Sequence, residues 1–282
     1  MDNKNSIWSK QILEMQQEDG TWGLQFHTLS IPTKKYPLTT EQALRRLMIL
    51  GFDVNDLPIR KTVNYMTACL RGERKMDNSW DKSHNFPLFT KLMLSTWIKI
   101  FEPDNEFALA FASRWAEVIE KTFKHGKYDH NEYVNAYTMQ FVSKPKGGRE
   151  VDFSTFYHIS LLQGMLTPKT ESLMLDYVIS KPEGIYYISS GPLNIPPKNF
   201  AAKNTSWYFA ALEILSGYDL SNEKLGFAVD WINMHKDADG QWDFGTKAND
   251  GVYFPYSNSW RKAEDRKADC TYRVMALLKK WL

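Results

Sequence analysis

Apolar residues along this chain fall at helical spacing in one segment after another, and the segments come in pairs joined by a turn that ends in a large aromatic. Ile7, Trp8, Ile12 and Met15 share one helical face, and Asp19-Gly20 stops that helix. After a loop holding Pro32 and Pro37, Thr39-Thr40-Glu41-Gln42 reads as an N-cap with acid in the first turn. It opens a helix over Ala43 to Leu50 that Gly51 ends. The unit is helix, aromatic turn, irregular loop, helix.

The unit recurs. Pro58 opens a helix over Ile59 to Leu70, and Phe86 to Phe101 is its apolar partner, ended by Pro103. A third pair is Asn105 to Phe123 with Asp152 to Leu166; Asn131 to Val142 lies between them as an insertion with helical character of its own. The fourth is Thr170 to Ile179, then a loop with Pro192, Pro196 and Pro197, then Asn204-Thr205-Ser206 capping Trp207 to Leu215. The fifth is Glu223 to Met234, followed by Asp269 capping Cys270 to Leu282. The turns carry Trp22, Trp80, Tyr128, Tyr186 and Trp242, at a period of about fifty residues, which marks a stack or ring of supersecondary units.

This pattern predicts an all-α chain folded as one domain over 1–282, with repeats at roughly 6–51, 56–101, 105–166, 168–216 and 222–282. The loops after the aromatic turns are long and unlike, and loops of that kind are usually functional. Gathered at one rim, they would surround the mouth of a central cavity. An (α/α) toroid of about five hairpins, with inner and outer rings of helices, is therefore expected over an open spiral.

Composition narrows the partners. Hydrophobic residues make up 43% and aromatics 14%, enough for a core and for ring-lined interfaces or a cavity wall. A net charge of +2 with 24% charged residues gives no case for a nucleic-acid surface, and Lys144-Pro145-Lys146-Gly147-Gly148-Arg149 reads as a solvated loop. Cys69 and Cys270 alone are neither a disulfide framework nor a Cys-rich zinc module. No secretory signal and no run of eighteen apolar residues is present, so a cytoplasmic protein without a transmembrane segment is expected; peripheral membrane contact is left open.

The turn Gln16-Gln17-Glu18-Asp19-Gly20-Thr21-Trp22-Gly23 and its copy Asp239-Gly240-Gln241-Trp242 resemble the repeat of the terpenoid cyclase and protein prenyltransferase toroid superfamily. Met76-Asp77-Asn78-Ser79-Trp80-Asp81, His125-Gly126-Lys127-Tyr128-Asp129 and Pro182-Glu183-Gly184-Ile185-Tyr186 are decayed copies. The likeness runs over essentially the whole chain and speaks to architecture, with each ring packed between neighbouring hairpins. The cyclases' acidic Asp-any-Asp-Asp run is missing, as are the paired aspartate-rich motifs that bind magnesium diphosphate. Resemblance to the prenyltransferase beta subunit implies a basic stretch for a prenyl diphosphate, met here by Arg261-Lys262 and Arg266-Lys267, and zinc ligands at Asp269, Cys270 and His158. The plainer reading makes Asp269 an N-cap, Cys270 a small core residue and His158 a satisfied histidine. No cofactor is therefore expected, with zinc or magnesium as the exception the resemblance leaves open.

On the expected inner helices, Trp97, Tyr157, Trp207, Tyr208 and Tyr272 either face a polyprenyl chain or carbocation, or pack as core. With His158 and Arg266 they form the candidate ligand-binding set. Glu213, mid-helix among Ala210, Ala211, Leu212 and Ile214, is the acid that capping explains least, and a proton-donor candidate if buried. Asp152 and Asp269, at the starts of inner helices, are caps first and the other two candidate acids. The loop Phe244 to Trp260 reads as a lid or rim. Three functions remain open: a toroid holding an apolar or isoprenoid-type small molecule, with terpenoid-cyclase or prenyltransferase-like chemistry by resemblance only; a non-catalytic protein- or peptide-binding ring; and a carbohydrate-active α/α toroid.

Overall fold

Helices in this chain begin where the sequence supplies a cap or a proline, and the computed structural model shows where each does so over residues 3–27, 35, 37–76, 85–146, 152–248, 256 and 259–281. Trp80 and most of its turn, Pro32, Tyr253, Phe254 and the Gly147-Gly148-Arg149 run lie outside the described residues. Among the described residues there are twelve α-helices and no β-strand. The first six are α1 (Ile7–Glu14), α2 (Thr40–Ile49), α3 (Leu57–Leu70), α4 (Phe86–Phe101), α5 (Glu106–Thr122) and α6 (His130–Phe141). The rest are α7 (Phe156–Leu161), α8 (Pro168–Ser180), α9 (Lys203–Leu215), α10 (Ser221–Lys224), α11 (Gly226–Met234) and α12 (Ala263–Leu278).

The expected α2 signal is met in full: Thr39 Oγ1 accepts from Gln42 N, and the Gln42 side chain accepts from Thr39 N, a reciprocal capping box. Asn105 caps α5 through Ala108 N, and Asp129 caps the inserted α6 through Asn131 N and Glu132 N. Proline stands in the first turn of α3, α4 and α8.

Four helix starts differ from the sequence reading: the expected helix over Glu223 to Met234 breaks at Leu225 into α10 and α11, and the other three differ for a physical reason. The expected helix over Asp152 to Leu166 shrinks to α7, because Tyr186 N donates to Ser154 O and Phe156 N to Tyr186 O. That pairing holds the chain extended up to Thr155, which is the cap; Asp152 instead accepts from Ser154 N at 2.7 Å. The expected Asn204-Thr205-Ser206 cap lies inside α9, since the Thr205 and Ser206 hydroxyls tie down Asn199 O and Ala248 O. Asp269 is not a cap either. The last helix starts about two turns earlier, with Glu264 and Asp265 in its first turn, and Asp269 is buried in its interior.

The first and last aromatic turns are physically the same object. Trp22 Nε1 donates to Ile12 O at 2.7 Å and Trp242 Nε1 to Ile232 O at 2.8 Å, each ten residues upstream. Each ring's backbone N–H donates to a threonine hydroxyl on the following helix, Thr40 or Thr271. Gly20 carries φ +89, and a Cβ there would lie 2.7 Å from the Lys61 carbonyl carbon, so glycine is required for both angle and space. The two decayed copies among the described residues depart from this. Tyr128 is half-buried, stacked on Tyr177 at 4.3 Å. In the fourth turn Ile185 is the buried residue, while Tyr186 is 38% exposed; the expectation that every turn aromatic packs between hairpins fails there.

The second members of the pairs, α2, α4, α7, α9 and α12, are joined side to side. Helix α7 packs on α4 and α9. Thr96 Oγ1 donates to Tyr157 O, Gln163 Nε2 to Ile214 O, and Arg273 to Glu213, linking α4 to α7, the end of α7 to α9, and α12 to α9. Helix α2 joins through Glu41, which accepts from Trp97 on α4 and Tyr157 on α7. One connected cluster of buried apolar residues runs from Ile12 to Trp281.

Candidate functional site

Those five helices wall a single cavity of about 470 Å³. Helix α2 contributes Arg45, Met48 and Ile49; α4 contributes Ile100; α7 contributes Phe156 and Ser160. Helix α9 adds Ala210, Glu213 and Ile214, and α12 adds Tyr272, Arg273 and Ala276. A second concavity of about 320 Å³, lined by Tyr186, Tyr187, Ile188, Trp207 and Ala210, shares Ile188 and Ala210 with it. The two adjoin. Their volumes fall in the range that holds a small organic ligand, and their walls are mostly apolar and aromatic with a few polar groups.

Behind the wall lies a polar cluster. Glu41, with no exposed surface, accepts from Trp97 Nε1 at 2.6 Å and from Tyr157 OH at 2.8 and 3.0 Å. His27 Nδ1 stands 3.7 Å from Glu41 Oε2, and its ring stacks on Phe89 and lies 5.3 Å from that of Tyr187. Burial, then the neighbouring Glu41 charge, pushes the Tyr157 phenol well above its ordinary value, so it stays a hydrogen-bond donor. Tyr187 itself has φ 73, a left-handed conformation that costs an aromatic residue energy and that tends to occur at functional sites.

One helical turn beyond Glu41, Arg45 is 7% exposed with its guanidinium carbon 4.0 Å from the centre of the Phe156 ring and 5.9 Å from that of Trp97. Its Nε and Nη2 are buried and make no hydrogen bond. The other cavity arginine is paired: Arg273 Nε and Nη2 donate to the two oxygens of Glu213 at 2.6 and 2.9 Å.

The sequence candidates divide accordingly. Glu213, Tyr272 and Trp207 line the cavities. Glu213 does so as one half of an ion pair. Trp97 and Tyr157 hold Glu41, and Tyr208 donates to Leu193 O at 2.9 Å and packs against Trp231, so these three rings are core. Asp152 is a structural anchor for Ser154 N, Tyr177 OH and Lys181 Nζ. Arg266 clips the last loop, with Nε and Nη2 on Asp243 at 2.7 and 2.8 Å and Nη1 on Trp260 O. Burial alone would raise the Asp243 carboxyl, but Arg266 and the Gly245 N–H together hold it below its ordinary value.

His158 packs edge-on against Trp115 at 4.2 Å and bonds Thr155 Oγ1 through Nδ1. Cys270 accepts from Phe244 N, and burial pushes its thiol up to about 12. Among the described residues no three His, Cys, Asp or Glu side chains are grouped to hold a metal ion, the set Asp269, Cys270 and His158 included. Of the loop Phe244 to Trp260, Tyr256 reaches the cavity wall beside Tyr272; residues 249–255 and 257–258 lie outside the described residues.

The sequence reading missed His27, Glu41, Arg45, Tyr187 and Arg273. The signal for two of them is in α2, where Glu41, Arg45, Met48 and Ile49 fall on one helical face: a charged residue recurring on the stripe that should be apolar. No described helix is long and apolar enough to cross a membrane. No family model matches the chain, and neither a curated protein nor a solved structure matches it.

Proposed function

We propose that the hairpins close into an (α/α) toroid of the terpenoid-cyclase and prenyltransferase kind, and that the chain binds an apolar, isoprenoid-type small molecule in the space at its centre. One observation carries this reading: the second helix of every repeat, first and last included, contributes to the wall of one cavity. Two ends of a chain that line the same space are what closure produces. The wall is mostly apolar, and its aromatic faces, Phe156, Tyr256 and Tyr272, suit an unsaturated hydrocarbon. A space of about 470 Å³ also favours a small-molecule reading over the peptide-binding ring, which would use its rim and needs no hollow centre.

The test is binding of a neutral isoprenoid alcohol, geranylgeraniol, by native mass spectrometry and tryptophan fluorescence. One molecule per chain is expected, and Ala276→Trp, which fills the cavity from an exposed wall position, should abolish binding while leaving the thermal midpoint close to that of the parent. Binding by the filled variant as tight as by the parent would place the ligand elsewhere and overturn the proposal. So would no binding by either.

A further inference from the structure

Among the described residues of the cavity wall, Arg45 alone has buried side-chain N–H groups that make no hydrogen bond. Its guanidinium carbon lies over the Phe156 ring, 4.0 Å from the ring centre, a favourable cation–π contact that supplies no hydrogen-bond acceptor of the strength of an oxygen. The two N–H groups, at Nε and Nη2, are buried and without a hydrogen bond. Buried donors are nearly always satisfied in native proteins, and an unmet one on a charged group is especially costly, so an exception asks for an explanation.

The edge that is empty on Arg45 is the edge in use on the two other clamped arginines of this molecule. Arg273 presents Nε and Nη2 to both oxygens of Glu213, and Arg266 presents the same pair to both oxygens of Asp243. Two parallel N–H groups at that spacing match a carboxylate or a phosphate. The obvious internal candidate is Glu41, four residues earlier on α2, but both its oxygens are engaged by Tyr157 and one also by Trp97. Among the described residues no carboxylate lies within ion-pair distance of Arg45. The wall itself is short of anions, since Arg45, Arg273 and Lys280 are set against Glu213, which Arg273 already takes.

We propose that Arg45 is the docking point for an oxyanion, a carboxylate or phosphate carried at one end of the apolar molecule in the cavity, which narrows the ligand to an anionic amphiphile and rests on the cavity-binding reading above. The apolar body lies along Met48, Ile49, Ile100 and Phe156, and the head forms the two-point fork that Arg45 lacks. Both nitrogens are closed off from solvent in the structure, so the head reaches them as neighbouring side chains give way. Arg45 acts in recognition, with no bond made or broken.

The experiment compares dodecanoate, dodecyl phosphate and dodecanol, by calorimetry, on the delipidated full chain. The acids should bind about 10- to 100-fold more tightly than the alcohol, the gain expected from a hydrogen-bonded charge pair. Whichever acid is favoured identifies carboxylate or phosphate as the natural head, and inorganic phosphate should compete only weakly. Arg45→Met should erase the preference, by weakening the acids to the level of dodecanol, and raise the thermal midpoint of the empty protein, because it removes an unpaired buried charge. Arg45→Lys, which keeps the charge without the fork, should lose about 10-fold for the acids. Acids and alcohol binding alike, or a preference that survives in Arg45→Met, would overturn the assignment while leaving the cavity reading in place. If no probe binds, dodecanol included, the cavity reading itself falls and takes this inference with it.

Discussion

Removing one oxygen atom from Tyr157 tests whether the polar cluster behind the cavity is a coupled unit. Glu41 has no exposed surface and receives three donated contacts, one from Trp97 Nε1 and two shared by the Tyr157 hydroxyl. A hydrogen bond to a charged group contributes about 1.5–3 kcal/mol, and the carboxylate left behind in Tyr157→Phe keeps its burial while losing a donor. The substitution should therefore cost about 2–3 kcal/mol, with little from packing because the ring is retained. In a Glu41→Gln background the same change should cost about 1 kcal/mol, since a neutral acceptor gains less from the hydroxyl. The coupling energy in the cycle is then about 1–2 kcal/mol, well outside the few tenths seen for independent sites. Urea unfolding of the parent, both single variants and the double variant at 25 °C measures it. Additivity within about 0.5 kcal/mol would mean that the Tyr157 hydroxyl does not hold the Glu41 charge, and the cluster would be ordinary core.

Three further outcomes follow from the same geometry. Asp152→Asn should cost about 2–3 kcal/mol, by leaving the partly buried Lys181 ammonium without its carboxylate, yet should not change binding of geranylgeraniol, which separates a structural acid from a site acid. Burial first, and a nearby carboxylate second, raise the Tyr157 and Tyr218 phenols well above the ordinary 10.0. The folded state therefore binds these protons more tightly than the unfolded state; the stability is fully present below pH 10 and should fall above it by about 1 kcal/mol per tyrosine between pH 10 and 11, and a flat urea midpoint over that range would count against it. Cys270, buried with its thiol pushed up to about 12, should resist iodoacetamide at pH 8 until the protein unfolds, whereas half-buried Cys69 should label in the native state; peptide mapping reads both.

How much of this was legible in the sequence depends on what kind of constraint each residue obeys. The helices, the helical segment at α6 and the turns at Trp22 and Trp242 were readable because periodicity and turn chemistry act within a few residues of one another. The starts of α7, α9 and α12 were not, because partners far along the chain override local caps: Tyr186 holds Ser154 extended, Ala248 takes the Ser206 hydroxyl, and Arg266 fastens to Asp243. The candidate acids failed to separate for the same reason. Asp152, Glu213 and Asp269 differ only in what faces them, and Lys181, Arg273 and the α12 interior are all distant in sequence or invisible to a cap rule. Glu41 reads as a first-turn acid, which it also is, so its second role behind the cavity has no separate mark in the sequence.

The decay of the repeat is itself informative about where function sits. In the first and last turns the indole N–H reaches a carbonyl ten residues back, a bond that fixes the ring and seals each hairpin. A tyrosine cannot replace it, because its polar atom is at the tip of the ring and not at its side. At the fourth turn the sealing passes to Ile185, and Tyr186 lines the smaller cavity, next to the strained Tyr187. Trp22→Phe and Trp242→Phe should thus cost similar amounts, about 2–4 kcal/mol each, from a buried carbonyl left unmet and a small void. Tyr186→Phe should cost under about 0.5 kcal/mol, as for a surface change, and any effect it has should fall on ligand binding. Urea unfolding gives all three numbers. Equal losses at 22, 186 and 242 would mean that the fourth turn is held by its aromatic like the others, and that its departure from the repeat carries no functional signal.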